Sequence, residues 1–193
     1  LGGICSNYNS NLMLGSTNSL VVVEADEFDR SFLTLSPDIA VITSIALDHL
    51  DIYKNKENLK IAFAEFINNI KSGGTLFLEE SIDTTIIERD DISVLKYSTS
   101  TITDVSSKNI FIEDEIMHFD VLFKDEIVTD FKLKMGGEYN VSNALAAITI
   151  SKKLNVSNDN IVKSINSFEG IERRFETHIS NNEVVFIDDY AHH

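Results

Sequence analysis

The chain is 193 residues long and 43% hydrophobic, enough to bury one substantial core, so one domain is expected. Its 31 acidic residues outnumber 16 basic ones for a formal charge of −15, and the lack of a basic stripe argues against a nucleic-acid partner. The single cysteine, Cys5, excludes a disulfide framework or cysteine-based zinc site, and no apolar run reaches the roughly 20 residues that span a bilayer, so a cytoplasmic protein without a membrane partner is expected.

The chain starts at Leu1 without an initiator Met and stops at His193 just past a strand-like run, which reads as a piece of something longer. In chain order, residues 19–24 (SLVVVE), 39–44 (IAVITS) and 75–78 are nearly all apolar, as strands buried on both faces of a parallel sheet would be. Between the second and third, Leu59, Phe63, Phe66, Ile67 and Ile70 recur at helical spacing across residues 57–71, and Gly73 and Gly74 end that helix. Strand, helix, strand is the doubly wound α/β order, in which ligands lie beyond the carboxyl ends of the parallel strands. From residue 109 to 135 three shorter, partly alternating runs predict a small antiparallel β meander. Helices are expected over residues 141–154 and 159–167, the second opened by Ser157 or Asn158, and a last strand over residues 184–188.

Five segments could carry chemistry. Glu24, Asp26, Glu27 and Asp29 follow the first expected strand directly; oxygen-rich sites suit a hard divalent cation bridging phosphates, while a solvated turn capping the next helix fits the spacing equally well. Glu24 stands out because it belongs to the strand end. Asp48, His49 and Asp51 follow the second strand and should lie near the first cluster, although a lone histidine is more often structural and suits softer metals than magnesium. Asn140 and Asn143 are three apart at the start of a small-residue helix, where side-chain amides can read an adenine edge or merely cap the helix. Arg173 and Arg174, in a chain poor in arginine, suit an anion such as phosphate, with a surface salt bridge as the plain alternative. Finally Asp188 and Asp189 end the last strand, where an aspartate can accept from ribose hydroxyls.

Taken together and in order, these segments resemble the central domain of the Mur ligases. The patterns E-A-D-E-x-D, T-N-x-x-x-D-H-x-D, G-x-H-N-x-x-N-x-x-A-A, G-x-x-R-R-F and D-D-Y-G-H-H are met across residues 24–193, with Ser44, Tyr139 and Ala191 standing where the patterns have Asn, His and Gly. The resemblance implies that Glu24 binds a Mg2+ bridging the ATP phosphates and His49 a second Mg2+ near an acyl-phosphate, giving both a catalytic part. It further implies that Asn140 and Asn143 contact the adenine region, Arg174 the nucleotide and Asp189 the ribose. Residues 1–187 would be the ATP-binding domain and residues 188–193 the start of the carboxyl-terminal one.

Within the family the resemblance is to the branch that joins L-alanine to UDP-N-acetylmuramate. Phe63 stands where other branches carry a carbamoylated lysine, and the short stretch over residues 32–39 lacks the insertion of the tripeptide-recycling branch. That branch, a folate-type ligase and a non-catalytic binding module of the same fold are the alternatives. No G-x-x-x-x-G-K-[ST] phosphate loop occurs in the 193 residues; the resemblance places it upstream, so this piece alone is expected to be inactive.

Overall fold

The computed structural model describes residues 2–16, 20–46 and 50–190. Strand β1 (Ile39–Ile42) runs parallel to β2 (Thr75–Glu79), pairing Ile39 with Thr75 and Ile42 with Leu78. Between them lie the single-turn helix α1 (Leu50–Tyr53) and the helix α2 (Lys56–Asn68), whose N-cap Asn55 accepts from the Asn58 N–H. Strand β3 (Ser93–Ser98) extends the sheet in parallel, and β4 (Val105–Glu113), β5 (Ile116–Phe123) and β6 (Glu126–Leu133) complete one six-stranded sheet in sequential order. Helices α3 (Glu138–Lys153) and α4 (Asn158–Asn166) follow, then a separate antiparallel pair, β7 (Glu176–Ser180) and β8 (Val185–Asp188).

Successive side chains of a strand point to opposite faces, and β2 shows why its run is continuously apolar. Leu76 and Leu78 pack with Leu59, Phe63, Phe66 and Ile67 of α2, whereas Phe77 packs with Val141, Leu145 and Ile148 of α3. Both faces of the sheet are therefore covered by helices, the α/β arrangement the apolar runs predict. Phe63 is buried, its ring 5.5 Å from that of Phe32.

The strand expectations change in two places. The run expected as the first strand takes no strand conformation over residues 20–24, and Leu20, Val21, Val22 and Val23 are between 57% and 85% exposed. A strand apolar on both faces needs a ladder partner as well as cover, and among the described residues β1 is bonded only to β2, at the end of the strand order. The antiparallel meander forms as expected over β4, β5 and β6, and because β4 pairs in parallel with β3 at Tyr97–Val105 and Ser98–Ser106 it continues the main sheet. That close parallel connection is stitched by buried hydroxyls. Ser98 Oγ accepts from the Ser100 and Thr101 N–H groups, and Ser106 Oγ from that of Thr103. Finally, β3 and β7 add strands where no apolar run announces them. Their sequences, SVLKYS and ETHIS, are mixed because each is only partly buried.

Candidate functional site

Glu24 lies on the extended segment that replaces the expected strand, and its Oε2 accepts from the Gly2 N–H. Of its acidic neighbours, Asp26 Oδ1 accepts from the Phe28 N–H (2.9 Å) and Asp29 Oδ1 from the Ser31 N–H (2.9 Å), so both close local turns. The Ser31 side chain, followed by its backbone N–H, pulls the Asp29 pKa below the ordinary carboxylate range. These two aspartates thus shape solvated turns ahead of the 3-10 turn at Ser31–Thr34. His49 and Asp48 lie outside the described residues, and with them the expectation that their cluster lies near the first. The Tyr53 hydroxyl in α1 donates to the Glu27 carbonyl (2.6 Å), which joins the acidic segment to the helix that follows His49. Burial raises the pKa of that phenol.

The other three segments meet. Asn140 is buried in the first turn of α3 and donates through Nδ2 to the Gly136 carbonyl (2.7 Å), fastening the loop that enters the helix. Asn143, one turn on, is exposed. The Phe175 ring lies so close over Gly136 that a Cβ there would stand 2.6 Å from Cε1, so only glycine admits the approach. The backbone N–H of Phe175 in turn donates to Asp189 Oδ1 (3.0 Å), and the Arg174 guanidinium lies 5.8 Å from the Tyr190 ring centre. Asn140, Gly136, Phe175 and Asp189 are thus linked in series, joining three sequence segments, and Asn143 and Arg174 of those segments are exposed.

Backbone strain marks the same place. Arg173 (φ 60) and Phe175 (φ 51) both adopt the left-handed conformation, which side chains disfavour, and Tyr190 N–H donates to the Arg173 carbonyl (2.7 Å). The loop leading into this turn is held from the far end of the chain. Asn7 donates to the Ser167 carbonyl (2.7 Å) and accepts from the Glu169 N–H (2.8 Å), and Ser6 N–H donates to the Gly170 carbonyl (3.0 Å). Gly3 sits against Ile171 so closely that its Cβ would come within 2.5 Å of Cγ2. Gly2, which bonds Glu24, therefore belongs to the loop that braces the arginine segment.

Sequence patterns contained Phe175 and Tyr190 but gave them no role, and nothing in the sequence signalled Asn7, whose two partners lie 160 and 162 positions away.

Residues 6–151 match the Mur ligase middle domain. The chain belongs to the Mur ligase family. Across its whole length it is 40% identical to the UDP-N-acetylmuramate–L-alanine ligase of Flavobacterium johnsoniae and 41% identical to that of Porphyromonas gingivalis, covering 41% and 42% of those proteins. The chain thus spans about two fifths of the length of the curated relatives it matches. Among solved structures, the UDP-N-acetylmuramate–alanine ligase of Thermotoga maritima superposes over all of this chain and 44% of its own, with a TM-score of 0.81 at 25% identity. A Neisseria ligase for UDP-N-acetylmuramate and L-alanyl-γ-D-glutamyl-meso-diaminopimelate superposes over 90% of this chain and 57% of its own, with a TM-score of 0.75; at 23% identity it shows a shared Mur ligase fold.

Proposed function

We propose that this chain is the nucleotide-binding part of an ATP-dependent ligase that joins L-alanine to UDP-N-acetylmuramate. The observation that carries the reading is the 40% identity to alanine-adding ligases along the entire chain. Phe63, packed in the core where other branches carry a modified lysine, supports the same branch. The joined surface of Asn140, Asn143, Arg174 and Asp189 supports a nucleotide there. Arg174, beside the Tyr190 ring, supplies the cation that an anionic ligand needs in a chain of charge −15. Asp189 offers a carboxylate at the β8 end to ribose hydroxyls.

In this reading ATP phosphorylates the lactyl carboxylate. A carboxylate oxygen forms a bond to the γ-phosphorus as the bond to ADP breaks, and the amine of L-alanine then attacks the acyl carbon and expels phosphate. Positioning and charge neutralisation do most of the work in such a transfer. The donor set suits magnesium in part: Glu24 presents an exposed carboxylate, a hard oxygen donor braced by Gly2, and the hydrated cation takes one or two such carboxylates together with phosphate oxygens. Glu24 and His49 would hold Mg2+, which neutralises the phosphate charge. Arg174 would bind the nucleotide.

Phosphate release by the complete protein, supplied with ATP, Mg2+ and UDP-N-acetylmuramate, tests the reading. Release that depends on L-alanine is expected. Release that depends instead on the tripeptide would move the protein to the recycling branch, and no release with either would favour a non-catalytic module.

A further inference from the structure

Outside that site, one constellation joins donors of mixed type. Glu176 and Asp188 are direct cross-strand partners in the β7–β8 pair, and His178, two residues from Glu176, shares its face of the strand. The ladder slips between Thr177 and Ile179, so His178 is the extra residue of a bulge, a device that re-aims one side chain. His178 Nε2 lies 3.8 Å from Glu176 Oε2 and 3.8 Å from Asp188 Oδ2, and one donor atom from each of the three residues falls within 4.8 Å of the others. Among the described residues this is the group of three such side chains close enough to share an ion.

We propose that Glu176, His178 and Asp188 form a binding site for a borderline transition-metal dication, Zn2+ above all. The separations exceed hydrogen-bond length, which leaves room for a cation between the donors. Ligands at about 2.0 Å around a tetrahedral zinc stand about 3.3 Å apart, so the imidazole and each carboxylate need to draw in by about half an ångström, and the two partly exposed carboxylates can turn toward each other to close the third side. Two carboxylates and a neutral imidazole balance the ion's charge and leave a coordination position open. An imidazole ligand selects zinc, cobalt or nickel over magnesium.

Two further features prepare the donors. The His178 ring stacks on Phe186 with centres 5.6 Å apart and planes 30° from parallel, which steadies the imidazole. Glu176 Oε2 accepts from the Arg173 N–H (2.8 Å), the kind of outer hydrogen bond that orients a ligating carboxylate. The Arg173 guanidinium, 3.9 Å from Asp188 and largely exposed, is the competing cation, and it can swing into solvent without burying a charge. Asp189, which anchors Phe175, is the neighbour of Asp188, so an ion here would clamp the hairpin against the nucleotide surface.

Calorimetric titration of the 193-residue chain with ZnCl2, without nucleotide, tests the site, and CoCl2 supplies a visible absorption signature. One equivalent should bind, unaffected by excess Mg2+. His178→Ala and Asp188→Asn should each weaken binding by at least about tenfold, with circular dichroism unchanged; because both donors are surface groups, loss of fold in one variant leaves the other as the test. Replacing His192 and His193 by alanine should leave binding intact. Absence of stoichiometric binding, binding indifferent to His178 and Asp188, or binding lost with the two terminal histidines overturns the proposal.

Discussion

At the scale of single residues, the tightest constraints are steric. Phe63 fills space between α2 and the Phe32 ring. Phe63→Lys is therefore expected to destabilise by about 2–5 kcal/mol, through lost packing and a buried charge; chemical denaturation measures it, and a change below experimental error would mean that the branch could carry a lysine here without penalty. Gly136→Ala places a methyl group 2.6 Å from the Phe175 ring, at the joint between the α3 entry loop and the arginine turn. The ring must shift or the loop must, at a cost of about 1–3 kcal/mol typical of overpacking. Because Phe175 holds Asp189 through its backbone, the same substitution should weaken adenosine binding, and calorimetry on wild type and variant would register the loss. Adenosine affinity equal to wild type would detach the joint from the nucleotide.

Among the elements, the end of α2 shows how one side chain closes a helix. The last carbonyls of a helix lack intrahelical partners and carry partial negative charge. Arg89 Nη1 donates to the carbonyls of Ile67 (3.3 Å), Asn68 (2.9 Å) and Ile70 (2.6 Å), while Nε and Nη2 grip Asp91, each at 2.7 Å. Arg89, with help from Ser72, holds the Asp91 carboxyl down at about 2. Since that value lies below the roughly 3.9 of an unfolded aspartate, the stabilisation is complete above about pH 4 and is lost as pH falls through 2. Acid unfolding followed by circular dichroism should therefore show Asp91→Asn converging on the wild type below pH 2, after a clear deficit in thermal midpoint at neutral pH, whereas Arg89→Met, which also loses the three carbonyl bonds, keeps part of its deficit in acid. Equal midpoints at pH 7 would reduce the pair to surface decoration. In α1 the buried Tyr53 hydroxyl, its pKa raised by burial, ties the acidic segment to that helix.

For the molecule as a whole, function depends on whether distant segments converge. In the complete protein, Glu24→Ala should lower turnover by at least about tenfold with an unchanged melting temperature, since Glu24 is exposed and adds little to the core; a large loss of stability with near-normal turnover would assign Glu24 a structural role. In the chain alone, lacking a phosphate loop, ATP and adenosine should bind with similar weak affinities, and micromolar ATP binding that depends strongly on metal would relocate the phosphate site. Sequence by itself determined the elements whose cause is local: the α2 stripe from Leu59 to Ile70, the β1 and β2 runs, the three alternating strands, and the family, because periodicity and ordered motifs are carried by neighbouring residues. Tertiary structure alone decided the rest. The apolar run at residues 20–23 stays out of the sheet because a strand exists only when a second one bonds it, and no property of Leu20 to Val23 encodes the partner. β3 and β7, with their mixed sequences, are strands because the chains beside them are. Likewise Asp26 looks like a ligand in sequence and closes a local turn, while Asn7, Gly136 and His178 acquire partners only when folding brings groups from other segments within 3 or 4 Å.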